Sequence, residues 1–245
     1  MSQILPVVHI LSKVLMLFAF AFLLPLGVSF ALNDGAQLAY DEAILATFLS
    51  GLLLWLLSRR SKRELQTRDG FLLVVMIWAV LPVFSAIPLL VQLPEMSFTD
   101  AYYEAVSGLT ATGSTVLSGL DNLPPSINIW RAQMHWIGGM GVIVLVVAVL
   151  PMLGVGGRQL FKAETPTPMK DSKLTPRMAE TAKGLWLVYV IFTAFCILAL
   201  WVGGMGWVDA IVHAFSVMSL GGMSSHDASL GHFDSVTLEI IVMVF

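Results

Sequence analysis

Five apolar runs, each long enough to cross a bilayer and separated by segments that collect the charge, constrain this chain more than any other feature. They cover 5–32, 36–57, 71–91, 127–153 and 184–205, and a sixth begins at Val236. Roughly 20 apolar residues in a helix span the hydrocarbon core, and a helix satisfies its own backbone hydrogen bonds there. The chain is 57% hydrophobic and 12% charged, against about 25% charged in soluble domains. That balance excludes a water-soluble domain, a disordered chain and a nucleic-acid binder. It predicts an all-α polytopic membrane protein. The first run ends in Ser29-Phe30-Ala31 but is read as a span and not a cleaved leader, because its apolar stretch is too long and only Lys13 is basic. The apolar stretch from Val236 stops at Phe245 without a flank, so the sequence reads as an amino-terminal fragment.

Charge sets the orientation. The segment 58–70 holds Arg59, Arg60, Lys62, Arg63 and Arg68, and the segment 157–183 holds Arg158, Lys162, Lys170, Lys173, Arg177 and Lys183. Eleven of the thirteen basic residues lie there, which places both segments and the amino terminus in the cytoplasm. The opposite side carries Asp34, Glu95, Asp100, Asp121, Asp209, Asp227 and Asp234.

Two shorter helical segments break the alternation of spans and loops. Residues 98–109 follow Ser97-x-x-Asp100, a variant of the capping box, and residues 207–218 follow Gly206-x-x-Asp209. About 12 residues suit a re-entrant or buried helix and not a crossing. At a constant offset of 109, Asp100 pairs with Asp209, Ala101 with Ala210, Ala105 with Ala214, Ser107 with Ser216 and Gly113 with Gly222. Identities held in register between matched spans argue for duplication, with a unit of span, short helix, glycine loop and span. Both copies begin and end on one side, so they are parallel repeats. Each short helix runs into a loop, Thr110-Ala-Thr-Gly-Ser-Thr or Ser219-Leu-Gly-Gly-Met-Ser. Non-helical backbone at membrane depth must be buried or line a watery path. Loops of this kind can turn carbonyl oxygens inward, where rings of carbonyls replace the water shell of a permeating cation.

Other candidates carry less. Cys196 lies in an apolar run and is a packing residue. His135, His213, His226 and His232 match no ligand spacing and are read as structural or solvated. Arg131 is expected at the outer interface, its long side chain reaching toward the head groups. Glu239 starts the sixth run near the outer mouth. The run Gly138-Gly139-Met140-Gly141 is expected to let helices approach closely. Gly154-Val-Gly-Gly follows a membrane helix and not a strand, so it fails as a nucleotide loop. No paired acid and base, nucleophile or metal constellation appears, which leaves an embedded enzyme or a signalling scaffold as the weaker readings.

The ordered set Thr110-Ala-Thr-Gly-Ser-Thr-Val, His135-Trp-Ile-Gly-Gly-Met-Gly-Val-Ile-Val-Leu, Leu153-Gly-Val-Gly-Gly, Lys162-Ala-Glu-Thr-Pro, Lys170-Asp-Ser-Lys-Leu-Thr-Pro-Arg and Gly221-Gly-Met-Ser-Ser-His-Asp-Ala-Ser resembles the pore subunits of Trk-type potassium uptake systems, in the Trk/Ktr/HKT superfamily. The resemblance runs from about Arg59 to the last residue. It implies four potassium-channel-like repeats of span, pore helix and span in the bacterial inner membrane, of which this chain holds about one and a half. Residues 1–67 would be two extra helices, 68–156 the first repeat, 157–183 a basic cytoplasmic loop and 184–245 the truncated second repeat. The resemblance assigns potassium to filter carbonyls of Thr110, Ala111, Thr112 and Gly113, and of Ser219, Leu220, Gly221 and Gly222, with Ala111, Thr112, Leu220 and Gly221 as the central ligands. Gly113 and Gly222 fit the glycine that accompanies potassium preference in the family, and Met223 stands where its pattern has an aromatic residue. The resemblance also implies a homodimer of full-length chains, no covalent cofactor, and nucleotide acting only through a cytoplasmic ring of regulatory subunits docked near 157–183. Potassium transport coupled to protons or sodium is the alternative within transport.

Overall fold

Apolar character in the first run is uniform enough to build one nearly continuous rod, and its single irregularity has a local cause. The computed structural model describes residues 4–60, 67–149 and 174–245. Helix α1 (Leu5–Phe18) passes through a 3-10 turn, η1 (Ala19–Phe22), into α2 (Leu23–Leu32). Pro25 has no N–H to give the carbonyl four residues back. That carbonyl, on Ala21, is taken instead by the Gln133 side-chain amide at 2.7 Å. In a membrane interior such a substitute partner is required.

Helix α2 ends at Asn33, a left-handed residue with φ 51°, and the chain returns as α3 (Gln37–Ser58). Between them, the Asp34 carboxylate accepts the Ser29 hydroxyl, the Ala36 amide at 3.2 Å and the Ser126 amide at 2.9 Å. Ser126 is in the first turn of α7 (Pro125–Val149), so Asp34 caps a helix from outside it and docks the amino-terminal pair onto the rest. Burial works to raise the Asp34 pKa, and the Ser29, Ser126 and Ala36 hydrogen bonds outweigh it, leaving the group below its usual range. A depressed carboxylate contributes stability that is complete above its unfolded pKa, about 3.9, and is lost as pH falls through the folded value. Asp34→Ala is therefore expected to cost the full-length protein about 1 kcal/mol, the ordinary worth of a helix cap. The check is thermal unfolding in detergent, with the gap from wild type closing in acid.

The third run is split in two, as α4 (Thr67–Ser85) and α5 (Ile87–Gln92), with Pro88 in the first turn of the second piece. Trp130 Nε1 donates to the Ser85 carbonyl at this break, at 3.0 Å. The two short helices follow their sequence closely. Helix α6 is Phe98–Leu109, and Ser97 Oγ accepts the Asp100 amide at 3.1 Å as the capping pattern requires. Helix α8 (Leu174–Val202) leads to α9 (Trp207–Ser219), which starts from Gly206 with no side-chain cap. The helix of α8 begins ten residues before the apolar run at 184. Three further elements are η2 (Leu120–Asn122), η3 (Ser229–Phe233) and α10 (Val236–Val244). The described residues contain no strand. The stretch from Leu153, the Lys162 and Lys170 motifs and most of the basic loop lie outside the described residues.

Helix α7 is the hub. Helices α2, α6, α8 and α9 all pack on it. Its Trp130 ring sits 4.4 Å from Phe22 and 6.1 Å from Phe18, joining α1 to α3 with α4 to α7 in one core. A second core of Cys196, Leu200, Met205, Ala210, Ala214 and Leu238 joins α8, α9 and the last helix. Among the described residues, four helical segments, 5–32, 37–58, 68–92 and 180–202, are long and apolar enough to cross a membrane. Only 22% to 39% of the most apolar window of each is buried within the chain. Phe20, Phe30, Leu53, Leu57, Phe195 and Trp201 are among the large side chains left exposed, a surface suited to lipid and not to water.

Candidate functional site

The helices α6 and α9 are too short to cross, at about 18–20 Å, and both end inside the bundle in the same way. Thr112 donates its amide to the Ser107 carbonyl at 2.9 Å and Ala111 to Gly108 at 3.0 Å. Gly221 donates to Ser216 at 2.9 Å and Leu220 to Val217 at 3.0 Å. These paired bonds form a Schellman cap, which needs a left-handed residue just past the helix. Ala111 (φ 53°) and Leu220 (φ 56°) occupy that position without being glycine. Two residues on, Gly113 (φ 78°) and Gly222 (φ 84°) are left-handed again. The offset of 109 found between residue types thus reappears in backbone conformation.

This pattern has a consequence for the main chain. The loop amides bond back to their own helix. Alternating the sign of φ undoes the strand habit in which successive residues face opposite sides. Among the described residues, the carbonyls of Thr110 to Gly113 and of Ser219 to Gly222 accept no hydrogen bond. The two loops also meet: a Cβ on Gly113 would overlap the Gly221 carbonyl. All eight sequence-predicted site residues therefore lie in two related bends brought against each other.

Helix α7 is the wall behind both. A Cβ on Gly138 would overlap the Leu109 carbonyl at the end of α6, and one on Gly139 would come within 3.1 Å of Ser219 Cβ at the end of α9. The glycine run is thus a place of close approach, as expected. One turn earlier the buried His135 ring lies against Gly221. Trp136 stacks between Tyr189 and Phe215, at 5.6 and 5.2 Å, and donates to Thr193 Oγ1 at 2.9 Å. Met223 is buried, 4% exposed, so the second loop is backed by apolar packing. Its counterpart Ser114 is laced by polar bonds, from Ser107 Oγ to its carbonyl and between its own hydroxyl and that of Tyr103, both 2.5 Å.

Arg131 departs from its expected place. It is not at the outer interface but 1% exposed, in an ion pair with a Glu104 that is 0% exposed. Its Nε and Nη2 both reach Glu104 Oε1 at 2.9 Å. Further donors go to Thr115 Oγ1 at 3.1 Å, Asn128 Oδ1 at 3.3 Å and the Ser224 carbonyl at 3.4 Å. Glu104 in turn accepts the Thr115 hydroxyl, at 2.9 and 3.0 Å, and the Val116 amide, at 3.2 Å. A guanidinium with this many fixed acceptors does not need the head groups. The network holds the chain just past Gly113 and reaches across to the second loop. Sequence reasoning missed Glu104, although an acid in the middle of an otherwise inward-facing short helix was the available signal. The offset of 109 sets His213 against Glu104 and Ser224 against Thr115. His213 Nε2 meets Ser224 Oγ at 3.0 Å, and Nδ1 meets the Asp209 carbonyl at 2.8 Å. A neutral pair in the second copy does what an acid and a hydroxyl do in the first.

The loops that follow the two bends are clasped. Asp227 accepts the Gly119 and Leu120 amides at 2.9 and 3.1 Å, and its own amide donates to Asp121 Oδ2 at 3.2 Å. Asp121 Oδ1 meets His226 Nδ1 at 2.5 Å. The His226 bond, with the Asp227 amide, holds the Asp121 carboxyl below its usual range.

Residues 38–245 match the family model described as TrkH, cation transport protein. The chain belongs to that family. It is 48% identical over 240 residues to the Trk system potassium uptake protein TrkH of Salmonella typhimurium, covering 98% of this chain and 50% of that one. It is 38% identical over 245 residues to the Trk system potassium uptake protein TrkG of Escherichia coli K12, covering 100% and 50%. The crystal structure of the potassium transporter TrkH from Vibrio parahaemolyticus superposes with a TM-score of 0.86 at 42% identity, over 99% of this chain and 48% of that one. The chain spans about half the length of the relatives it matches. Membership, with the long apolar helices, makes it a multi-pass protein of the bacterial inner membrane.

Proposed function

We propose that the full-length protein containing this chain takes up potassium through a ring of main-chain carbonyls, half of it supplied by Thr110 to Gly113 and Ser219 to Gly222. One observation carries the reading. At two sites 109 residues apart, a short helix ends in the same carboxyl-terminal cap and is followed by a left-handed glycine, with carbonyls that bond nothing in the described chain. A dehydrated monovalent cation is what such oxygens suit. Each short helix also turns its negative end toward the bend. The relatives named as potassium uptake proteins support the choice of ion.

In this reading residues 1–67 are an added helix pair, 68–156 a complete repeat, 157–183 a cytoplasmic loop and 184–245 the start of a second repeat. The amino terminus is cytoplasmic. The loop docks a ring of nucleotide-binding regulatory subunits by charge, full-length chains pair as homodimers, and nucleotide acts only through the regulatory partner. The test is ion flux in vesicles. The full-length protein is expected to carry potassium in preference to sodium, and the 245-residue chain alone to carry neither, because half the oxygens are missing. Equal potassium and sodium flux through the full-length protein, or potassium flux through the short chain, would overturn the reading.

A further inference from the structure

Helix α7 turns one stripe of residues toward both bends. Arg131, His135, Gly138 and Gly139 stand at the spacing that lines one face of a helix. Gly138 meets the end of α6 and Gly139 the end of α9, while Arg131 donates to the Ser224 carbonyl past the second bend at 3.4 Å. His135 lies between them, fully buried and against Gly221. Neither of its ring nitrogens bonds a group among the described residues. A buried polar ring without partners costs stability, so its place in the fold calls for a reason other than a hydrogen bond.

Gly221 supplies that reason. Its φ is not left-handed, unlike those of Gly113 and Gly222, so the backbone there does not call for glycine. A Cβ on Gly221 would instead overlap the His135 ring, whose Nδ1, Cε1 and Cγ are the three nearest atoms. The ring fills the space that a side chain at 221 would take. The offset of 109 sets Gly221 against Thr112, where the first bend carries a side chain of its own. The Gly221 carbonyl in turn faces Gly113, since a Cβ on Gly113 would overlap that oxygen. His135, Gly221 and Gly113 thus form one line of contacts, from the wall of α7 through the second bend to the first.

We propose that His135 is a positioning residue for ion selection: its ring sets how closely the Gly221 carbonyl stands to Gly113, and with it the spacing of the oxygens that the two bends contribute. The inference rests on the carbonyl-ring reading and adds to it a residue that touches no ion. Interiors are close-packed, so removing a rigid ring leaves space into which neighbouring main chain relaxes. The Gly221 amide is tied to Ser216 at the end of α9, but without a side chain the residue has only the ring to hold its other face. Carbonyls that shift lose the spacing that replaces a particular hydration shell.

The test exchanges bulk across this contact in the full-length protein. Competing potassium and sodium fluxes are measured in vesicles, with the melting temperature in detergent alongside. His135→Ala empties the wall and is expected to lose most of the wild-type preference for potassium. Gly221→Ala drives a methyl group into the ring and is expected to lose it as well. The double variant, His135→Ala with Gly221→Ala, puts a methyl group where the ring stood and is expected to recover preference beyond either single variant, the non-additivity of residues in direct contact. His135→Asn, a shorter flat polar side chain, should fall between wild type and His135→Ala, and it keeps the role testable if His135→Ala does not fold. Undiminished preference in whichever of these two folds, or a double variant showing the summed losses, would overturn the role of His135 and leave the carbonyl ring standing. A wild type that carries potassium and sodium equally would overturn the carbonyl ring itself.

Discussion

Arg131→Met in the full-length protein is expected to abolish potassium uptake by cells and to lower the melting temperature in detergent sharply, while the pair Glu104→Gln with Arg131→Met recovers much of the lost stability. The single change strands Glu104, which is wholly buried and loses the guanidinium at 2.9 Å. Removing one partner of a buried pair costs about 3–5 kcal/mol, because an uncompensated charge stays behind. That is a large share of the 5–15 kcal/mol or so by which domains are stable. The double change removes both charges, and neutral replacement of a buried pair is often tolerated. Uptake need not return with stability, since Arg131 also donates to Thr115 and to the Ser224 carbonyl beside the two bends. A double variant destabilised by the sum of the two single changes would mean that the pair contributes nothing as a pair.

The second large effect is expected at Gly113. Gly113→Ser should reduce the preference for potassium over sodium by about tenfold, equivalent to about 1.4 kcal/mol of differential binding. Two physical costs act together. The residue sits at φ 78°, where a side chain is strained, by about 1–2 kcal/mol. A Cβ there would also overlap the Gly221 carbonyl, so one of the two bends must move. Carbonyls that move lose the spacing that replaces a particular hydration shell. Competing potassium and sodium fluxes, measured in vesicles of the full-length variant, read the effect. Unchanged discrimination would remove the filter role from this loop.

These two predictions differ in how far each was legible beforehand. Gly113 was marked by the duplication, because a constant offset between residue types is a property of the string. The helices α6 and α9 were legible for the same kind of reason: length, a cap at Ser97, and a glycine loop at the far end are all local. The left-handed Ala111 and Leu220 were not, because nothing in an alanine or a leucine announces that conformation, and the helix-end hydrogen bonds impose it. Arg131 was misplaced for a different reason. A lone arginine at the start of an apolar run has a default location at the interface, and only a partner 27 residues away in the chain overrides it.

What the sequence determined by itself is the membrane class, the positions of the apolar runs, the side on which charge collects and the existence of two related bends. Each follows from hydropathy, residue type and spacing along the chain, which packing does not alter. Tertiary structure alone decided which side chains meet: Asp34 with Ser126, Gln133 with the carbonyl released by Pro25, Glu104 with Arg131, and Asp121 with His226 across 105 residues. Polar groups withdrawn from water need partners wherever the fold can supply them, and distance along the chain says nothing about who stands near in space.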